Sequence, residues 1–197
     1  MKVTIILFGF LLLLCLPAIG GQAADPIQSR EEFAATGYMP TIAGSTMVGP
    51  GATANITISI DSYSSDDEAQ AMASAFAKGQ HKALRSALQK ATVKARIAFA
   101  GRNGFYELKL LRARNTPNGR QIFGIGEGSI TFLDAYYPGR SHLEQFGILQ
   151  LDLTKNNGVE EGSGSLVHKA IIKTLGPDSI VLDNHGIDPV RLTVHRQ

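Results

Sequence analysis

From Lys94 to Val194 apolar residues recur at alternate positions, and this period constrains the fold more than any other feature of the chain. "KARIAF" alternates, "GRNG" turns, "FYELKLLRAR" alternates again, and "NTPNGR" turns back into "QIFGI". A strand sends successive side chains to opposite faces, so such alternation marks half-buried strands. "SITFLDAYY", "QFGILQLDL", "VEEGSGSLVHKAIIKTL", "GPDSIVL" and "PVRLTVH" continue in the same manner, with "TKNNG" as a further turn. Asn-Gly turns match the twist of the strands they join, which points to an antiparallel meander. Upstream, Ile56, Ile58 and Ile60 alternate with Thr57, Ser59 and Asp61 as one more strand.

Between that strand and the meander runs "EAQAMASAFAKGQHKALRSALQKA", rich in Ala, Leu, Gln and Lys and free of Pro. Met72, Ala73 and Phe76 share one helical face, Gly79 gives a stop, and Leu84 and Leu88 face the same way on a second helix. The expected fold is therefore α+β: a mainly antiparallel β-sheet or partly closed barrel with a helical hairpin inserted after the first strand.

The N-terminus reads as an export signal: Lys2, an apolar run from Val3 to Ile19, and Gly21 and Ala23 as small residues before a cleavage point. This divides the chain into a signal peptide at 1–23, a flexible Gly-, Pro-, Ser- and Thr-rich leader at 24–53, and a single domain at 54–197. In the alternative arrangement Tyr38, Met39, Ile42, Met47 and Val48 tuck against the domain as an irregular arm. The expected location is secreted or periplasmic, without an integral membrane span after cleavage. An uncleaved N-terminal anchor is the alternative, since the apolar run lies at the short end of the ~17–25 residues that cross a bilayer.

Cleavage would remove Lys2 and no acid from a chain with 19 Lys and Arg against 17 Asp and Glu. So balanced a charge argues against bulk electrostatic recruitment to nucleic acid. Cys15 is the single cysteine, so the mature chain would hold no disulfide, thiolate nucleophile or zinc-thiolate site.

The densest polar stretch, "DSYSSDDE" from Asp61 to Glu68, lacks the spacing and turn glycine of a calcium loop. It fits a capping box, with Ser65 as N-cap, Glu68 three residues on, and Asp66 and Asp67 beside the positive end of the helix dipole. The histidines His81, His142, His168, His185 and His195 show no metal-ligand spacing, and a structural or solvent-facing role is expected for His168. "GEGSI" and "EGSGS" lack the spacing of a nucleophile elbow. Gly124, Gly126 and Gly128 precede a strand instead of opening a helix, so they read as a flat shelf that a side chain or the inserted helices cross, or that admits a ligand. No catalytic or metal-ligating residue is assigned, and no cofactor is expected.

Between Ala69 and Tyr106 stand seven basic residues and no acid. Lys78, Lys82 and Arg85 are spaced to share a helical face, and they are the candidate binding residues for an anionic surface or polymer. The plainer alternative is an amphipathic helix that shows lysines to solvent. In the closing segment Val190, Leu192 and Val194 alternate inward and Arg191 points to the other face. Asn55-Ile56-Thr57 is a glycosylation sequon.

"ITISIDSYSSDDEAQAMASAF", "GRQIFGIGEGSITFLDAYY" and "NHGIDPVRLTVHR" together resemble a family of small exported bacterial proteins with no assigned activity. The resemblance covers about residues 54–197, and its recurring elements are Ile56 to Phe76 and a closing Gly186 to Leu192. This chain has His185 where related chains tend to have an aromatic. The resemblance implies a single domain in a bacterial exported setting and brings no activity or cofactor.

The resulting expectation is an exported, non-enzymatic binding or surface-associated protein. One alternative is a carrier of a small apolar ligand in a sheet cavity lined by Phe123, Phe132, Tyr136 and Phe146. The other is a hydrolase using isolated carboxylates such as Glu107, Glu127 or Asp134.

Overall fold

The computed structural model describes residues 30–39, 52–130, 145–183 and 188–197. The signal segment, Ile42, Met47, Val48, Phe132, Asp134, Tyr136, His142 and His185 lie outside the described residues. Within them are nine strands and one helix: β1 (Glu31–Met39), β2 (Ala52–Ile60), α1 (Asp66–Lys90), β3 (Ala95–Phe99), β4 (Tyr106–Thr116), β5 (Gly119–Gly126), β6 (Gln145–Asn156), β7 (Val159–Leu175), β8 (Ile180–Asp183) and β9 (Val190–Arg196).

All pairings are antiparallel, in the order β6-β5-β4-β3-β2-β1-β9-β7, and β6 pairs again with β7. That last pairing closes eight strands into a barrel, so the sheet is fully closed. β8 adds only to the far end of β7. The β6–β7 hairpin turns through Asn157 and Gly158, both at positive φ (49° and 87°), as an Asn-Gly turn between twisted strands requires.

The first correction concerns the domain boundary. Glu31–Met39, placed by sequence in the flexible leader, is a barrel strand hydrogen-bonded to β2 on one side and β9 on the other. Phe33, Ala35 and Met39 point inward, but Ala34, Ala35 and Gly37 blur the apolar alternation that would have announced them. The helical element accordingly follows the second strand.

The barrel interior is filled by side chains, as an eight-stranded barrel allows. Phe33, Ile58, Ile97, Leu108, Leu111, Ile122, Leu149, Leu151 and Val194 are all at or below 2% exposure. At one end the filling becomes charged. Arg120 reaches Glu31 through two contacts (2.6 and 3.2 Å), Glu160 at 2.6 Å and the Tyr63 hydroxyl at 3.0 Å, and its guanidinium lies over the Phe33 ring. Arg196 completes the group on Glu160 at 3.1 Å. Two cations and two carboxylates balance, and Arg120 and Glu31 are almost wholly buried. Burial alone would lower the Arg120 pKa, but the bonds to Glu31, Tyr63 and Glu160 outweigh it and raise it.

A second apolar cluster lies outside the barrel. Ala69, Met72, Phe76, Leu84 and Leu88 of α1 pack on Leu110, Ile125, Phe146, Ile148 and Val167. Beta-bulges place part of this outer apolar face. The β4–β5 register slips between Leu108 and Leu110, so that Leu110 faces α1 while Leu108 and Leu111 both face the interior. A further slip between β6 and β7 leaves both Val167 and Ala170 in the outer cluster.

The second correction is to the helical hairpin. The structure holds one helical element, interrupted at Gly79 (φ −147°, ψ 22°) and Gln80 (φ 51°, ψ −146°), and not two separate antiparallel helices. Both halves stay on the barrel because Met72, Phe76, Leu84 and Leu88 are all buried against it. The break re-aims the second half, and the sequence's stop at Gly79 falls on it.

Candidate functional site

Most of the acidic stretch is held in structural contacts. Ser65 Oγ accepts from the Glu68 amide at 3.2 Å while Glu68 Oε2 accepts from the Ser65 amide at 2.8 Å, which closes the expected capping box. The remaining groups diverge: Asp61 pairs with Arg96 and Arg30, Asp66 with Arg112, and Glu68 with Lys94 at 2.8 Å. Ser64 is buried, its hydroxyl accepting from the Leu111 amide. Burial would raise the Glu68 pKa, but the bonds from Lys94 and the Ser65 amide outweigh it and hold the carboxyl below its ordinary value.

The basic residues separate on folding. Arg85 donates to the carbonyls of Glu127 and Gln145 (3.0 Å) and lies 5.1 Å over the Phe146 ring, so it fastens the helix to the barrel. His81 works beside it, with Nε2 2.8 Å from the Ile172 carbonyl and the ring between Phe76 and Phe146. Lys94 and Arg96 are engaged by Glu68 and Asp61. Lys78 and Lys82 are exposed on opposite sides of the break at Gly79–Gln80, so regular helical spacing no longer aligns Lys78 with Lys82 and Arg85, and Arg85 is turned to the barrel. The predicted three-residue strip is thus not assembled. Lys82 and Lys90 do border an open depression on the helix with Gly79, Ser86 and Ala87.

The glycine shelf is occupied by side chains. The Tyr106 ring crosses Gly126 and Gly147, where an added methyl would collide with it, and its hydroxyl donates to the Gly128 carbonyl. Burial pushes the Tyr106 pKa up, partly offset by those backbone hydrogen bonds. Leu108 and Leu111 cover Gly124, and Arg85 passes over Gly128.

The proposed cavity lining also disperses. Phe146 is buried in the outer cluster and Phe123 packs half-buried against it, both away from the barrel interior. Glu107 pairs with Lys109 and Glu127 accepts from Gln89, on different elements. "EGSGS" lies inside β7, and His168 is buried on the same strand.

Of what folding does bring together, only Phe123 was singled out in the sequence. Two rows of outward-facing residues run in register across β4, β5, β6 and β7. One is Arg114, Gln121, Asp152 and Ser163; the other is Arg112, Phe123, Gln150 and Ser165. Arg114 donates to Gln121, Gln121 Nε2 to Asp152 Oδ1 at 2.6 Å, and Ser165 to Gln150. The β7–β8 turn forms a wall: Asp178 accepts from Arg112 Nε and Nη2 at 2.8 and 2.6 Å. Arg112 also holds Asp66 and the Ser64 carbonyl, tying the turn to the start of the helix. Burial would lower the Arg112 pKa, but Asp178 and Asp66 outweigh it and raise it. The groove between the rows and the wall has a volume of about 490 Å³. The only sequence signal for it is the polar half of each strand's alternation, which says nothing of register.

The molecule is thus a closed antiparallel barrel with a helix on its outer face and a polar groove on the same side. No family model matches the chain, and no curated protein or solved structure matches it either. Among the described residues no helix is long and apolar enough to cross a membrane.

Proposed function

We propose that this is an exported, non-enzymatic binding module whose ligand sits in the groove over β4–β7. The observation that carries the reading is the register of polar side chains from four strands beneath the wall at Asp178 and Ser179. A close-packed barrel supplies a rigid support, and existing hydrogen bonds hold the groove side chains in place before a ligand arrives. Hydrolysis by a carboxylate pair is the less favoured chemistry. Of the two acids lining the groove, Asp178 is paired with Arg112, which leaves no second unpaired carboxylate to act with Asp152.

Native mass spectrometry of the exported protein from its host tests this. A retained ligand that is lost on Ser165→Trp, which fills the groove from its floor, is the expected result. Retention unaffected by Ser165→Trp would place the ligand elsewhere and overturn the reading.

A second reading rests on the exposed Lys82 and Lys90 beside the helix depression, which suit an anionic surface or polymer. It predicts binding to heparin-like or anionic-lipid surfaces that weakens with salt and is lost on Lys82→Glu.

A further inference from the structure

We infer that the groove's ligand is an uncharged polyhydroxylated molecule, a segment of neutral saccharide. This rests on the groove being the binding surface. Asp152 and Asp178 line the groove with a single cation, Arg114, and Arg112 is already shared between Asp178 and Asp66, so no cation is left over to hold an anion. A phosphate or polyanion would face two carboxylates, and a cationic ligand would meet the Arg114 guanidinium with Asp178 already paired to Arg112.

The lining interleaves guanidinium, amide, carboxylate and hydroxyl groups, and the planar ones present donors or acceptors in pairs. Neighbouring hydroxyls on a sugar ring, each both donor and acceptor, match such pairs. After the internal hydrogen bonds are made, Asp152 Oδ2 and Gln150 Nε2 have no other partner among the described residues. They offer one acceptor and one donor from adjacent rows. Phe123, half-buried between Arg112 and Gln150 in its row, supplies the apolar surface on which the C–H face of a sugar ring packs.

An extended peptide fits the groove less well. Peptides commonly add to a sheet by pairing with a free strand edge. At the groove β5 and β6 are paired on both sides and the ligand meets a sheet face, so no main-chain ladder is on offer.

The test is an NMR titration of the ¹⁵N-labelled full chain, expressed with its own N-terminus, against neutral glucan, xylan and N-acetylglucosamine hexamers. A mixture of uncharged decapeptides runs in parallel. The expected result is that at least one saccharide class shifts the side-chain amides of Gln121 and Gln150 and the backbone amides of Ser163 and Ser165. Gln150→Ala and Asp152→Asn should each weaken that binding about tenfold. The ligand-free spectrum of each variant, with the amide dispersion of the parent, separates lost binding from failure to fold. Groove shifts with peptides and with no saccharide would overturn the saccharide assignment while leaving the groove as the binding surface. Saccharide shifts confined to other surfaces, or no groove shift with any probe, would overturn the inference. A host ligand that survives Ser165→Trp would remove the underlying reading as well.

Discussion

Ser65 and Glu68 exchange hydrogen bonds across the first turn of α1, and Glu68 also receives Lys94 from the strand side. Replacing Ser65 with Ala should cost about 1 kcal/mol by chemical denaturation. Because Glu68 is held below its ordinary carboxylate range in the fold, its contribution is present above that range and is lost as pH falls through the folded value. Stability of Glu68→Gln should therefore fall less than that of the parent between neutral and acid pH, measured as thermal midpoint against pH. Arg120 makes the larger case. Arg120→Leu leaves the buried Glu31 without its cation and should cost about 3–5 kcal/mol, whereas Arg120→Leu with Glu31→Leu should recover much of the loss. The capping box was legible because it is a local pattern over four residues. Glu31 and Arg120 stand 89 positions apart and gave no local signal.

At the scale of elements, period two announced most strands, and Val159–Leu175 falls where the alternation put it. The bulges were not visible, because an extra residue shows only against a partner strand. Leu110 and Leu111 read as neighbours on opposite faces, but the slip beside Lys109 decides which of them meets the helix. The break in α1 is similar. Gly79 signalled a stop, whereas packing of both halves on one outer face kept a single bent element. Gln80 at φ 51°, ψ −146° sits where only glycine is at ease, so Gln80→Gly should stabilise the protein by about 1 kcal/mol. An unchanged or lowered thermal midpoint would show that the Gln80 side chain compensates for its backbone.

For the whole molecule, closure depends on β1. A chain beginning at residue 54 lacks the strand that joins β2 to β9 and would expose both edges of the opened sheet. It should lose dispersed amide signals and aggregate, while the full chain stays folded; a well-dispersed spectrum from the truncated chain would refute the role given to β1. The sequence by itself determined the antiparallel strands, the helix start at Ser65 and the balance of charge, since each follows from neighbouring residues or from composition. Only the tertiary structure decided that the barrel closes, that Arg85 fastens the helix instead of greeting a ligand, and that Arg114, Gln121, Asp152 and Ser163 stand in one row. Strand register and closure are set by contacts between distant segments, and no local period encodes them.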